Sequence, residues 1–177
     1  MHGGCELNHE YSAFIDNLIM LRRSENRGAL AALRKGLGKE PGTVPEMFEH
    51  VVPFLPKRAT KEQEDAFFLI ASLFASYPEG TGQVDMGRTF RTIRSKAESD
   101  SIEGRFVGLL KCHRDNLPDH LRHAVALARS KDAPIDWYQL LLDVQHWDDA
   151  SGSVQRRWAR SFWEDRREKT SDQDKEE

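Results

Sequence analysis

A chain of 177 residues, 38% hydrophobic and 31% charged, is long enough to bury a core of its own. No apolar run approaches the ~18 residues of a membrane span, and two cysteines, Cys5 and Cys112, exclude a disulfide framework or a cysteine-built zinc site. The net charge of −3 hides a segregation of sign: residues 20–39 and 86–131 are basic, residues 40–85 are acidic, and the segment from Glu164 onward holds seven acids against four bases.

The opening "MHGGCELNHE" has neither the basic nor the apolar region of a secretory signal, so a cytoplasmic location is expected. In "YSAFIDNLIMLRR", Phe14, Leu18 and Leu21 recur at helical spacing, with Ile15 and Ile19 widening the stripe. Ser24 is the expected N-cap of the next helix, "ENRGALAALRKG", which turns Leu30 and Leu33 inward and stops at Gly36. A Pro/Gly-rich connection comes next, then a short helical piece from Pro45 to "VVPFLP". Thr60 with Gln63 is a capping-box pattern opening "KEQEDAFFLIASLFASY", apolar nearly all round and therefore expected in the middle of a bundle.

After the loop "PEGTGQVD", the helix "MGRTFRTIRSKA" sets Met86, Phe90, Ile93 and Ala97 on one side. "ESDS" interrupts the pattern and marks an expected boundary between two bundles. The next inward stripe, Ile102, Phe106, Leu109, Leu110, His113 and Leu117, predicts one helix ended by Pro118. Leu121, Ala124, Val125 and Ala128 form the inward face of another. Asp136 and Gln139 cap a helix with Trp137, Leu140, Leu141, Val144 and Trp147 inward, and Val154, Trp158 and Phe162 space the last one. No strand pattern and no internal repeat stand out. The expected fold is all-α: an N-terminal helical bundle over 1–98, a C-terminal bundle over 99–163, and a charged, disordered tail over 164–177.

The residues give little support for catalysis. His120 and His123 form an H-x-x-H without the glutamate of a zinc hydrolase. "HRD" (His113, Arg114, Asp115) lacks the other parts of a kinase site. His146, Asp148 and Asp149 suggest a metal-dependent phosphohydrolase, but no second His-Asp pair completes the ligand set. The tryptophans sit at or beside core spacing, with Trp163 the one expected to be exposed or at an interface.

The basic residues are the open question. Arg27 and Arg34 share a stripe; Arg88, Arg91 and Arg94 step every three residues; Arg105 and Arg114 flank the apolar stripe of their helix, with Lys111 on its outer face; Arg122 and Arg129 share a stripe on the next; Arg156, Arg157 and Arg160 mark the last helix. One explanation is a solvated face whose arginine stems pack on apolar neighbours. The other is a polyanion: most are arginine, which grips phosphate bidentately, and acidic i,i+4 partners are scarce.

"RGALAALRKGLG", "VVPFL", "SIEGRFVGLL..HRDNLPDHLRHAVAL", "IDWYQLLLDVQHWD" and "VQRRWARSFW", in this order between about Tyr11 and Trp163, resemble the CasB family, the small subunit of the type I-E CRISPR Cascade complex. The Gly-rich start and acidic tail lie outside the resemblance. It implies a two-bundle helical protein with no catalytic activity and no cofactor. Its implied partners are the other Cascade subunits, further copies of itself, CRISPR RNA and the target and non-target DNA strands; no membrane is implied. The implied job is to hold the R-loop, including the displaced strand, by backbone electrostatics, since guide pairing reads the sequence. The resemblance assigns nucleic-acid contact to Arg34, Lys35, Arg105, Lys111, Arg114 and Arg122, and less closely to Arg27 and Arg157; Arg88, Arg91 and Arg94 rest on spacing alone. It supplies no aromatic stacking platform, so weak, salt-sensitive and sequence-independent binding is expected. The alternative is a protein–protein assembly module with no nucleic-acid contact, and a third reading is a metal-dependent phosphohydrolase using His146 and Asp149.

Overall fold

In the computed structural model, residues 3–97 and 101–164 are described, with side chains from residue 9 onward. Among them the regular structure is helical: α1 (Gly3–Arg23), α2 (Arg27–Arg34), α3 (Phe48–Val51), α4 (Lys61–Ser76), α5 (Met86–Ala97), α6 (Ser101–Lys111), α7 (Leu117–Ser130), α8 (Trp137–Gln145) and α9 (Ser153–Trp163), with short 3-10 turns between some of them. The fold is all-α, as the periodicities predict. No described helix is long and apolar enough to cross a membrane.

The centre is α4. Thr60 accepts from the Gln63 amide at 3.3 Å while Gln63 Oε1 accepts from the Thr60 amide at 2.9 Å, so the expected capping box closes both ways. Beyond that first turn, every residue from Ala66 to Ala75 is buried, because α2, α7 and α8 pack around it. The one hydroxyl in that run, Ser72, donates back to the Leu69 carbonyl at 2.9 Å and so enters the core satisfied.

A second packing centre is the crossing of α5 and α9. A Cβ on Gly87 would stand 2.0 Å from the backbone oxygen of Trp158, so only glycine lets the two backbones approach this closely. Phe90, Phe106 and Phe162 then stack in sequence, with centroids 5.1 and 4.3 Å apart, joining α5, α6 and α9. The loop before α5 is pinned to the one before α8. Ile135 donates to the Gly80 carbonyl at 2.7 Å, Gly82 donates to the Ile135 carbonyl at 2.8 Å, and Thr81 and Ile135 form an isolated parallel bridge.

The expected boundary at 98/99 falls on residues 98–100, outside the described ones. On both sides of it the buried hydrophobics belong to one connected cluster. Three local expectations are corrected. Asn26, not Ser24, caps α2, accepting from the Ala29 amide at 3.0 Å, and Ser24 instead donates to the Met20 carbonyl at the end of α1. The helix expected through Leu117 ends at Lys111, and Pro118 opens α7 because its missing N–H and fixed φ suit a first turn. His113, expected inward and within that helix, is exposed in the connection. Trp137, Trp147 and Trp158 are core residues as expected; Trp163 is partly buried, and its indole donates to Glu103 at 3.3 Å. The expected disordered tail beyond Glu164 lies outside the described residues.

Candidate nucleic-acid interface

The basic residues sort by what their side chains touch. Arg27 is the first residue of α2 and Arg34 lies in its last turn, where a cation complements the helix dipole; both are exposed. Neither makes an ion pair among the described residues. Arg105 projects from the middle of α6 and Lys111 from its last turn, both exposed and likewise without an ion pair there. These four cations have no intramolecular task that the structure records.

Lys35 and Arg122 are intermediate cases. Lys35 caps α2 and pairs with Glu46 at 2.9 Å, but both ends are more than half or half exposed (57% and 50%), so solvent screens the pair and leaves the ammonium available. Arg122 donates to Asp119, one turn earlier, at 3.1 Å. Its guanidinium lies against the glycine-rich loop after α2: a Cβ on Gly38, whose φ is +69°, would stand 3.9 Å from Arg122 Nε. That Nε is buried and finds no acceptor among the described residues. Arg122, Asp119, Lys39 and the loop Gly36–Gly42 line a cleft of about 280 Å³ floored by Phe68. Through this cleft α7 meets the segment that begins at Arg34 and Lys35.

The remaining candidates are engaged in the fold. Arg88 and Arg91 lie 3.7 and 3.3 Å from Glu164 at the end of α9. Arg94 stacks on Phe162, 4.3 Å from the ring centroid, and faces Glu103 at 3.9 Å. Arg114 donates to the Val144 carbonyl at 3.1 Å and lies 3.5 Å from Asp148, tying the α6–α7 connection to the end of α8. Arg157 pairs with Asp143, which also accepts from the Trp158 indole at 2.6 Å and from Gln139 at 2.8 Å. Burial pushes the Asp143 carboxyl above its ordinary range, and the Arg157 hydrogen bond is the largest effect holding it down. Arg129 donates to the Ser76 carbonyl at 3.1 Å. The spacing of Arg88, Arg91 and Arg94 gives no hint of this, because their acids come from α6 and α9 rather than from i,i+4 neighbours.

Two histidines whose spacing raises the question of catalysis find another setting. His120 and His123 border a groove of about 650 Å³ between α6 and α7, with Arg105 on its rim and Leu109 and Leu127 on its floor. Gly104 and Gly108, one turn apart on α6, leave its backbone bare: a Cβ at either would meet nothing within 4 Å. Among the described residues no acid lines this groove. The pair considered for a phosphohydrolase is spent locally: His146 Nδ1 lies 2.8 Å from the Leu142 carbonyl, and Asp149 accepts from the Ser151 amide at 2.9 Å. Among the described residues no group of three His, Cys, Asp or Glu side chains could hold a metal ion.

The family model for CRISPR-associated protein Cse2 matches residues 29–163. This chain belongs to the Cse2 family. A CRISPR-associated protein Cse2 of Thermus thermophilus is 40% identical over 138 residues, spanning 76% of this chain and 78% of that protein. The crystal structure of CasB from Thermus thermophilus superposes with a TM-score of 0.76 at 34% identity, covering 86% of this chain and 97% of that one, which supports the CasB resemblance read from the sequence. A chain of a solved CRISPR RNA-guided surveillance complex gives a TM-score of 0.74 over 88% of this chain and 92% of its own length; at 24% identity this is a likeness of fold. The Cse2 match takes in Arg34, Lys35, Arg105, Lys111, Arg114 and Arg122, starts two residues after Arg27, and ends before the acidic tail.

Proposed function

We propose that this Cse2-family chain is a non-catalytic small subunit of a CRISPR-guided surveillance complex. Its basic surface tracks the phosphate backbone of guide RNA and target DNA and steadies the R-loop, including the displaced non-target strand, in antiviral defence. One observation carries the reading: Arg27, Arg34, Arg105 and Lys111 are exposed cations with no ion pair among the described residues, in a protein that pairs or packs most of its other candidate arginines. Lys35 and Arg122 join them at the cleft behind the glycine loop. Such a surface suits backbone contact, since phosphates need charge and reach but no stacking platform. Arg114, Arg157 and the Arg88–Arg91–Arg94 stripe contribute second, because each would first have to leave a partner. The partners in this reading are the other Cascade subunits, further copies of this chain, and the RNA and DNA strands they enclose, in the cytoplasm.

Fluorescence anisotropy of labelled single-stranded and duplex DNA tests the nucleic-acid part. The logarithm of affinity should fall with the logarithm of salt by about 0.7 for each contacted phosphate of a single strand. Combined Arg34→Glu and Arg105→Glu substitution should flatten that slope and weaken binding, whereas Arg129→Gln should do neither. Equal binding by the reversed variant and the wild type would overturn the assignment.

The assembly-module reading also has an observation in its favour. Phe48, the first residue of α3, and Val52, just past its end, are exposed apolar side chains, as is Met20 on α1. On that reading, substituting Phe48→Ser and Val52→Ser costs subunit incorporation while nucleic-acid affinity stays unchanged.

A further inference from the structure

The groove of about 650 Å³ between α6 and α7 has a floor and a rim of different chemistry. Leu109 and Leu127 make the floor apolar. Along α7 the lining residues His120, His123, Leu127 and Ser130 recur at helical spacing, so one face of that helix lines the groove over about 15 Å. On the facing wall α6 presents Gly108, one turn after the exposed Gly104. A Cβ at either glycine would meet nothing within 4 Å, which lets a third helix approach the α6 backbone closely.

The polar side chains of the rim have no partner inside the fold. Arg105, His120 and His123 make no hydrogen bond or ion pair among the described residues. The acids nearest to them in sequence are engaged elsewhere, Glu103 with the Trp163 indole and Arg94, and Asp119 with Arg122. Among the described residues the groove is therefore apolar below, rich in donors and cationic at its edge, and lined by no carboxylate. A nucleic-acid strand would find charge here but no aromatic face to stack on, since Phe90, the one aromatic ring in the lining, is 2% exposed. A helix with one apolar face and acidic flanks matches both the floor and the rim.

We propose that this groove docks an acidic amphipathic helix of a partner protein. Small apolar side chains at i, i+3, i+4 and i+7 of that helix lie on Leu109 and Leu127, and its flanking carboxylates accept from Arg105, His120 and His123. The guanidinium of Arg105 carries five donors, enough to hold a carboxylate on one edge and a phosphate on the other. Arg34, Lys35 and Lys111 lie outside the groove lining, so the docking stands independently of the nucleic-acid reading.

The test is fluorescence anisotropy with a labelled peptide of about fourteen residues, stapled into a helix ~21 Å long. It carries Leu and Ala on one face and Glu on both flanks; a second peptide has Lys in place of Glu, and a third scrambles the order. The full chain should bind the acidic peptide at least about tenfold more tightly than either control. Gly108→Leu puts a side chain into the groove where the backbone has room, and leucine favours a helix over glycine. This variant should melt no earlier than the wild type and lose about tenfold or more in affinity for the acidic peptide. Ala126→Glu, at an exposed position on the α7 wall, is an independent block and should repel the same peptide. Arg105→Gln should weaken the acidic peptide about two- to fivefold and leave the Lys peptide unchanged. Equal affinity for all three peptides, or full affinity in both Gly108→Leu and Ala126→Glu, would overturn the docking. Sedimentation of the chain alone and titration with single-stranded DNA separate the other occupants. If Gly108→Leu abolished self-association or DNA binding while the wild type bound no acidic peptide, the groove would belong to a second copy or to the strand, and the proposal would fall.

Discussion

At the scale of the residue, the structure separates two kinds of arginine that look alike in sequence. Arg157 faces a carboxylate that is 2% exposed and accepts three donors from α8 and α9. Asp143→Ala leaves the Trp158 indole buried without an acceptor and the guanidinium with only Asp85, 4.0 Å away; it should cost about 3 kcal/mol, read as a lower melting temperature. Arg34→Glu disturbs no recorded side-chain contact and, through the helix dipole alone, should cost at most about 1 kcal/mol while weakening polyanion binding. A melting temperature that fell equally in both variants would remove the distinction on which the site rests. Cys112 offers a pH-dependent check on the same packing. Burial pushes its thiol up to about 11, so at pH 8 only about one molecule in a thousand carries the reactive thiolate. Alkylation of Cys112, read by peptide mass spectrometry, should be slow at pH 8 and accelerate toward pH 10–11. Reaction at the rate of an ordinary exposed thiol at pH 8 would contradict the packing.

At the scale of the element, what is legible in the sequence depends on whether the cause is local. The α4 capping box, the Asp136 cap of α8 and the tryptophan positions arise from periodicity and short-range hydrogen bonding, and the structure contains them. The end of α6 is misplaced by the sequence pattern because an apolar stripe continuing through Leu117 masks a break that Pro118 makes at the start of α7, not at the end of α6. Gly87 is illegible for a different reason: only the crossing with α9 shows what its missing side chain makes room for. Two substitutions weigh local against tertiary causes. Thr60→Ala removes one cap and should cost about 1 kcal/mol. Gly87→Ala drives a methyl into the Trp158 backbone and should cost about 1–3 kcal/mol as α5 and α9 are forced apart. For a protein of this size each kcal/mol lowers the melting temperature by about 2–4 °C. A neutral Gly87→Ala variant would mean that the crossing is not close-packed.

At the scale of the molecule, the sequence shows that basic blocks exist but not which of their members are available. Charge counts over 20–39 and 86–131 suggest two equivalent cationic regions. In the fold, the arginines of α5 are drawn onto acids from α6 and α9, and of the candidate cations those without an ion pair among the described residues lie on α2 and α6, with Arg122 on α7 meeting the loop after α2. That selection depends on tertiary pairings, some across more than 70 residues of sequence as between Arg91 and Glu164, which no local rule encodes. It also explains why a chain of net charge −3 can still present exposed cations: several of its acids are turned against its own arginines.

The most direct measurement is target-DNA capture by the reconstituted surveillance complex containing either this chain or its Arg34→Glu, Arg105→Glu, Lys111→Glu variant, compared at equal subunit incorporation. The account predicts that the variant assembles and melts normally and captures target at least about tenfold more weakly, with a flatter dependence on salt. Unchanged capture by a complex that holds the variant in full would show that the exposed arginines do not touch the nucleic acid, and would leave the chain an assembly module.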